Sequence, residues 1–135
     1  MDSCTVYSAD DVAEVQQRIA EDLAAWHVLT RETEAPALMD VESAYCRGLA
    51  LHLELAFVGR ARSQEGADGN ALNELRMIAR SLLEGDGLLL EDATVAYSSE
   101  RAVLGIAVGD PIVLDPDGIE RLTGAVLNEI RARFV

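Results

Sequence analysis

The chain offers few side chains for nucleophilic or metal chemistry, and their spacing is poor. A cysteine thiol activated by a histidine can attack a carbonyl carbon, and Cys46 and His52 are the nearest such pair. Six residues apart on one helix, they would point more than about 100° away from each other. A zinc site would need more ligands at closer spacing than Cys46, His27 and His52 provide. We therefore assign no catalytic residue, expect no metal and no cofactor, and interpret Cys46 as a small buried side chain.

The acidic segment from Asp115 to Glu120 has oxygen ligands spaced like the start of a calcium-binding loop. A loop of the EF-hand type, however, carries ligands along about twelve residues and a glycine at the sixth position. Here Gly118 is the fourth residue, and a helical pattern begins at once. The same residues are typical of a helix start, with Asp115 accepting from free backbone N–H groups and Pro116 at the first helical position. We therefore predict a capped helix rather than a calcium site.

Carboxylates outnumber basic residues by more than two to one. The chain has 24 Asp and Glu against 11 basic residues, all of them arginine, and a formal net charge of −13. Such a charge opposes binding to nucleic acid, because each phosphate contact needs a cation. It suits a protein partner with a basic surface, although solubility alone would explain it equally well.

Two groups of acidic residues flank the region that follows the third predicted helix. If the ends of that region meet beside the last helix, these carboxylates form one surface, which we call the acidic rim. We predict partner binding at the acidic rim, which comprises Glu84, Asp86, Glu91, Asp92, Asp110, Asp115, Asp117 and Glu120. The alternative is that these loops are acidic only because the whole protein is.

Four of the arginines, Arg60, Arg62, Arg76 and Arg80, fall on or between the second and third predicted helices. Arg76 and Arg80 are four residues apart, and like charges at that spacing repel unless an anion or carboxylates face them. Pairing with the surplus carboxylates is the interpretation that we prefer. A phosphate site is the alternative, but no glycine-rich loop between strand and helix supports it.

Apolar residues recurring at steps of three or four predict four helices. The first is capped by Ser8, the second by Asp40 and the third by Asn70, because each of these side chains can accept from the first helical turn. Pro116 begins the fourth. The predicted helices cover residues 9–30, 41–58, 71–84 and 116–134.

One stretch within the second helix is ambiguous. Between Leu49 and Phe57 every second residue is apolar, as in a half-buried strand, but helical spacing is satisfied as well. No β-branched residue occurs before Val58, and leucine and alanine favour helices. We therefore predict a helix that is apolar nearly all round and central in the fold.

After the third helix the apolar period changes to two, which is typical of strands. Short runs rich in Val, Ile, Thr and Tyr predict a hairpin around Ser98–Arg101 and an edge strand after Pro111; the runs are residues 88–90, 94–97, 102–108 and 112–114. The predicted fold class is therefore α+β, with three N-terminal helices, a short antiparallel β region at about residues 88–114, and a C-terminal helix.

A chain of 135 residues is long enough for one core, and we predict a single globular domain over residues 1–135. The first twenty residues include four acidic side chains and resemble no signal peptide, and no stretch approaches the roughly 18 apolar residues of a membrane span. We therefore expect a cytoplasmic protein with no membrane contact, in which Cys4 and Cys46 are reduced thiols. Abundant alanine, glycine, leucine and arginine without lysine is typical of a bacterial GC-rich genome.

Three functional hypotheses follow. The first is an acidic, non-enzymatic binding protein that occupies a basic surface of a protein partner, as immunity proteins, antitoxins, inhibitors and secretion chaperones do. The second is a structural or regulatory homo-oligomer, a homodimer for example, in which the helix from Val41 to Val58 packs across a symmetric interface. The third is a small enzyme with a non-standard site involving His52, Cys46 or Tyr97.

Overall fold

The computed structural model describes residues 6–31 and 37–135. Its helices are α1 (Ala9–Thr30), α2 (Ala37–Ala56), α3 (Arg62–Glu65), α4 (Ala71–Glu84) and α5 (Pro116–Phe134). The described part of the chain contains no β-strand, so the predicted α+β class is wrong and the fold is helical.

The helix starts follow from local capping. The Ser8 hydroxyl accepts from the Asp11 N–H at 3.0 Å, and the Asp11 carboxylate accepts from the Ser8 N–H at 2.9 Å, which closes a capping box on α1. The Asn70 side chain accepts from two N–H groups of the first turn of α4. Asp115 accepts from the Gly118 N–H at 2.7 Å at the start of α5, which confirms the capping interpretation of this acidic segment.

The second helix differs from its prediction at both ends. It begins at Ala37, so Asp40 lies in its first turn instead of capping it, and it ends at Ala56. The helical interpretation of the ambiguous stretch is confirmed as far as Ala56. A single additional turn, α3, lies between the second and third predicted helices.

The helix at the centre of the fold is α4, not α2 as expected. All residues from Ala71 to Leu75 are buried, and so are Met77, Ile78, Ala79 and Ser81. Helices α2 and α5 both pack on α4, and α1 packs on α2 and α5. The start of α1 meets the end of α5, where the Tyr7 N–H donates to the Phe134 carbonyl at 2.9 Å, so these two helices are antiparallel.

The region between α4 and α5 contains turns instead of the predicted antiparallel strands. Its only strand-like pairing in the described residues is an isolated antiparallel bridge between Leu88 and Pro111. Flanking bonds run from the Leu89 N–H to the Asp110 carbonyl and from the Ile112 N–H to the Gly87 carbonyl. The predicted turn at Ser98–Arg101 exists, but the segments on its two sides do not pair as strands.

Side chains of α4 replace the missing strand partners. The Glu74 carboxylate accepts from the backbone N–H groups of Val103 and Leu104 at 2.8 and 2.9 Å. The Ser81 hydroxyl accepts from the Leu90 N–H at 2.9 Å. Because buried backbone donors must be paired, these bonds hold the segment in an irregular path along α4 without a sheet. Its apolar residues then pack individually against the core.

Within the described residues, none of the helices has the length and apolar character needed to cross a bilayer.

Candidate functional site

The acidic rim is only partly available to a partner. Glu84 pairs with Arg80 at 3.2 Å and Asp92 lies 3.8 Å from Arg62, while Asp115 serves as the α5 cap. The bridge between Leu88 and Pro111 brings the segments of the two acidic groups together. The other five rim carboxylates are exposed and form no ion pair with a described residue; they are Asp86, Glu91, Asp110, Asp117 and Glu120.

The four arginines pair with carboxylates of the same chain, which is the interpretation that we preferred from the sequence. The buried Arg60 guanidinium donates to Glu65 and to Glu54, each at 2.6 Å. Arg76 approaches the same Glu65 carboxylate at 2.6 Å, and the Asn73 amide donates to it at 2.7 Å. Burial alone would raise the pKa of Glu65, but the hydrogen bond from Arg76 and the charges of both arginines outweigh burial and lower it. This network ties α2, α3 and α4 together through Arg60 and Arg76, while Arg62 and Arg80 lie beside Asp92 and Glu84.

Cys46 and Tyr97, two of the residues named in the enzyme hypothesis, are held within the fold. The Cys46 thiol is a free, buried side chain, and burial followed by the charges of Glu42 and Asp115 raises its pKa to about 11. A thiol in that state is a poor nucleophile. Tyr97 donates to the Ile106 carbonyl, and burial followed by the charge of Glu74 raises its pKa to about 12. Cys4 lies outside the described residues.

His52 lines two shallow depressions between α1 and α2. The larger, about 360 Å³, also contains Tyr7, Asp11 and Glu14, and the smaller, about 340 Å³, contains Arg18 and Asp22 among its lining residues. Cys46 lines neither depression. In the described part of the chain no group of three or more His, Cys, Asp or Glu side chains is arranged to hold a metal ion. Cys46 and His52 therefore do not line a common depression.

A groove of about 450 Å³ lies between α1 and α5. Buried side chains of Ile19, Leu23 and Leu127 line its floor. The exposed walls include the small residues Ala20 and Ala24 of α1 and Gly124 of α5. They also include the longer side chains of Gln16, His27 and Glu120. We call this depression the α1/α5 groove.

Two features of the α1/α5 groove have no explanation among the described residues. The Thr123 side chain is only 6% exposed, yet its hydroxyl has no hydrogen-bond partner among the described residues. A threonine within a helix commonly donates to the carbonyl four residues earlier, and here it does not. Gly124 follows it in mid-helix, where a Cβ atom would meet nothing within 4 Å. Glycine in a helix interior costs about 0.5–1 kcal/mol relative to alanine, so an open site gives no internal reason to keep it.

The charged ends of the groove are acidic. Glu120 lines it directly, and Asp117 lies one turn earlier on the same side of α5. On α1, Glu21 borders the adjoining outer face together with Ala20 and Ala24. On α5, Arg131 donates to the groove-lining Gln16 at 3.0 Å, and Arg121 donates to the Val103 carbonyl at 3.0 Å. An apolar floor with carboxylates at its edge and one unpaired hydroxyl can hold an apolar side chain flanked by positive charge.

Replacing Thr123 by valine should raise the free energy of unfolding by about 1 kcal/mol. A buried hydroxyl without a partner costs about 1–3 kcal/mol, and valine keeps the shape while removing that polar group. Urea denaturation of the isolated protein measures the effect. The control is Thr30→Val, because the Thr30 hydroxyl donates to the Trp26 carbonyl at 2.9 Å and its loss should destabilise or leave stability unchanged. A loss of stability in Thr123→Val would show that the hydroxyl is satisfied in the free protein.

The sequence pointed to two of the groove residues only through their charge. Asp117 and Glu120 belonged to the predicted rim, whereas the apolar floor and Thr123 were not predicted. The available signal was Gly124, a glycine inside a strongly predicted helix. No protein-family model, curated protein or solved structure matches this chain.

Proposed function

We propose that this protein is a non-enzymatic binding protein that occupies a basic surface of a protein partner through the α1/α5 groove and the neighbouring carboxylates. The partner would place an apolar side chain on the groove floor and its lysines or arginines against Asp117 and Glu120. Immunity proteins, antitoxins, inhibitors and secretion chaperones act in this general way, by covering a surface without chemistry.

The observation that carries this proposal is the combination of Thr123 and Gly124 in an apolar groove. An unpaired buried hydroxyl is a cost that a bound partner can remove by supplying a hydrogen-bond partner. The open site at Gly124 leaves room for a close approach by another chain. Neither feature is satisfied by a contact within the described residues.

The charge of the chain supports the same proposal. Of the predicted rim, Glu120 lines the groove and Asp117 lies one turn earlier on α5. Three further carboxylates, which form no ion pair with a described residue, flank the bridged segments, namely Asp86, Glu91 and Asp110. An unbalanced negative surface accelerates association with a positive one and excludes other acidic proteins. The binding must then weaken with added salt.

The experiment begins with capture of the partner by the tagged protein from cells of its source at low salt, followed by its identification and purification. The dissociation constant is then measured between about 50 and 200 mM NaCl. The Debye length shortens over this range, so attraction between exposed charges weakens. We expect at least about a tenfold loss of affinity over that range. A dissociation constant independent of salt would contradict the electrostatic part of the proposal.

A charge-neutralised pair locates the binding surface. Asp117→Asn with Glu120→Gln should weaken binding by about tenfold or more at low salt, because both charges face the bound cations. The matched control is Asp40→Asn with Glu100→Gln, which removes the same charge from exposed positions elsewhere. Equal losses in the two double variants would mean that only net charge matters and that the groove is not the site.

A further inference from the structure

The residues that line the α1/α5 groove follow helical spacing on both of its walls. On α1 they recur at steps of three and four from Gln16 to His27, and on α5 they do so from Glu120 to Leu127. Because a helix rises about 1.5 Å per residue, the α1 wall is about 16 Å long. The groove therefore runs along the two helices for about three turns.

The two ends of the groove differ in charge. Since α1 and α5 are antiparallel, His27 and Glu120 lie at one end, and Asp117 lies one turn beyond Glu120 on α5. Gln16 and Arg131 lie at the other end, where the Arg131 guanidinium donates to the Gln16 side-chain oxygen at 3.0 Å. One end thus carries two carboxylates and the other carries a cation.

The floor between the two ends favours a helical occupant. Ile19, Leu23 and Leu127 are buried apolar side chains, and the main-chain groups of both walls are bonded within α1 and α5. An extended peptide laid along this floor would leave its own N–H and C=O groups without partners, at a cost in free energy for each group. A helix bonds these groups internally, so it covers the floor without that cost.

Small residues on both walls allow a third helix to approach closely. Ala20 and Ala24 are exposed on α1, and Gly124 is exposed on α5, where a Cβ atom would meet nothing within 4 Å. The separation of two packed helices depends on the side chains at their contact, and small side chains permit the shorter distances. Beside Gly124, the buried Thr123 hydroxyl has no hydrogen-bond partner among the described residues. These are the features of a packing surface that another helix completes.

The charges at the two ends determine the direction of that helix. The free N–H groups at the N-terminus of a helix carry partial positive charge, and the free carbonyls at its C-terminus carry partial negative charge. The N-terminus is therefore stabilised beside Glu120 and Asp117, and the C-terminus beside Arg131. A helix placed in this way runs parallel to α5 and antiparallel to α1.

We propose that the α1/α5 groove binds one amphipathic helix of the partner, about three turns long, with its N-terminus at Glu120 and its C-terminus at Arg131. Its apolar residues cover the floor, and its lysines or arginines lie in or just before its first turn, where they face Asp117 and Glu120. This inference rests on the proposed function, because it concerns the same site. It adds the form and the direction of the bound segment, and it excludes an extended segment and a second copy of this chain as the occupant.

Selection from a phage-displayed library of random peptides, each about 16 residues long, identifies what the groove binds without knowledge of the partner. The wild-type protein captures peptides at low salt, and immobilised Gly124→Leu removes those that bind elsewhere. Enriched peptides should have apolar residues at steps of three and four, preceded by basic residues, and should become helical on binding, as measured by circular dichroism. Enriched peptides that bind in an extended form, or a complete lack of peptides that depend on Gly124, overturn the proposal.

The affinity of a selected peptide tests close approach at Gly124. Gly124→Leu should weaken binding about tenfold or more, because added volume at a packed contact is unfavourable. The variant should still fold, since the site is open and leucine favours a helix more than glycine does. Gly48→Leu is the matched control, at an exposed glycine inside α2 where a Cβ atom also meets nothing within 4 Å, and should leave binding unchanged. Equal losses in the two variants overturn the assignment to the groove.

A nitroxide label at either end of the selected peptide reports its direction. In NMR spectra of the complex, a label at the N-terminus should broaden the amide signal of Glu120, and a label at the C-terminus should broaden that of Gln16. The reverse pattern overturns the proposed direction. Sedimentation of the protein without peptide should give the same mass for the wild type and Gly124→Leu. A dimer that is lost in the variant identifies a second copy as the occupant and overturns the proposal.

Failure of this inference and failure of the proposed function give different results. If the captured partner binds in a salt-dependent way that requires Asp117 and Glu120, but the selected peptides are extended, the proposed function stands and the helix is wrong. If helical peptides bind in the groove but the partner binds equally well to the Asp117→Asn, Glu120→Gln variant, the groove accepts a helix and the proposed function is wrong.

Discussion

Replacing Glu65 by alanine should lower the free energy of unfolding by about 3–5 kcal/mol, which is a large share of the stability of a domain this size. The carboxylate is fully buried and accepts from Arg60, Arg76 and Asn73. Its removal leaves the buried Arg60 guanidinium with Glu54 as its remaining carboxylate partner. Denaturant titration of the two proteins measures the difference. Glu14→Ala, which breaks an exposed ion pair with Arg18, is the control and should cost at most about 1 kcal/mol.

The same network makes part of the stability dependent on pH. Because the arginines hold the pKa of Glu65 below its ordinary value of 4.5, the unfolded chain binds this proton first as the pH falls. The contribution of Glu65 is therefore complete above the ordinary pKa and is lost progressively below it. Glu65→Gln should be less stable at neutral pH and should lose less stability on acidification than the wild type. Parallel curves for the two proteins would contradict the charged network.

Replacing Glu74 by alanine should lower the free energy of unfolding by about 2–4 kcal/mol, because the Val103 and Leu104 N–H groups lose their shared acceptor. The loss of stability should be concentrated in the region between α4 and α5. Amide hydrogen exchange should accelerate there more than in α1, whose bonds do not involve this side chain. Ser81→Ala is the control, since it removes one bond to that region, from the Leu90 N–H, together with the Ser81 hydroxyl's bond to the Met77 carbonyl within α4. Uniform acceleration throughout the chain would mean that the region has no separate dependence on Glu74.

The contribution of Glu74 to stability changes with pH in the opposite direction to that of Glu65. Burial, which outweighs the hydrogen bonds from Leu104 and Val103, raises its pKa above 4.5. The folded protein therefore binds this proton more tightly than the unfolded chain does. The effect of Glu74 on stability is most favourable below its ordinary pKa and is reduced as the pH rises through the raised value. Comparison of Glu65→Gln and Glu74→Gln across the acidic range separates the two groups.

The helices were predictable because their signals are local. Ser8, Asn70 and Asp115 each satisfy N–H groups within the next three residues, so the starts of α1, α4 and α5 follow from short windows of sequence. The β region was not predictable in the same way. A run such as 102–108 has strand composition, but whether its backbone finds a neighbouring strand depends on distant residues. Here Glu74, far away in the sequence, takes the two N–H groups that a strand partner would have bonded.

The candidate surfaces were predictable only in outline. Charge identified Asp117 and Glu120, but the floor of the α1/α5 groove depends on how α1 and α5 pack, and alanines give no signal of their own. The apolar residues around α2 were visible in the sequence and were interpreted as burial at the centre of the fold. Because α4 takes the central position, one side of α2 is left outside. Gly48 and Gly124, both inside predicted helices, were the available clues to the two open faces.

Amide hydrogen exchange of the protein alone and in complex with its captured partner, at matched protein concentration, tests the proposed function most directly. Partner binding in the α1/α5 groove should slow exchange in residues 16–27 and 120–127, by closing the groove over backbone that is otherwise near solvent. The effect should disappear in the Asp117→Asn, Glu120→Gln double variant at the same partner concentration. Protection confined to the His52 depressions, with the α1/α5 groove unchanged, would contradict the account.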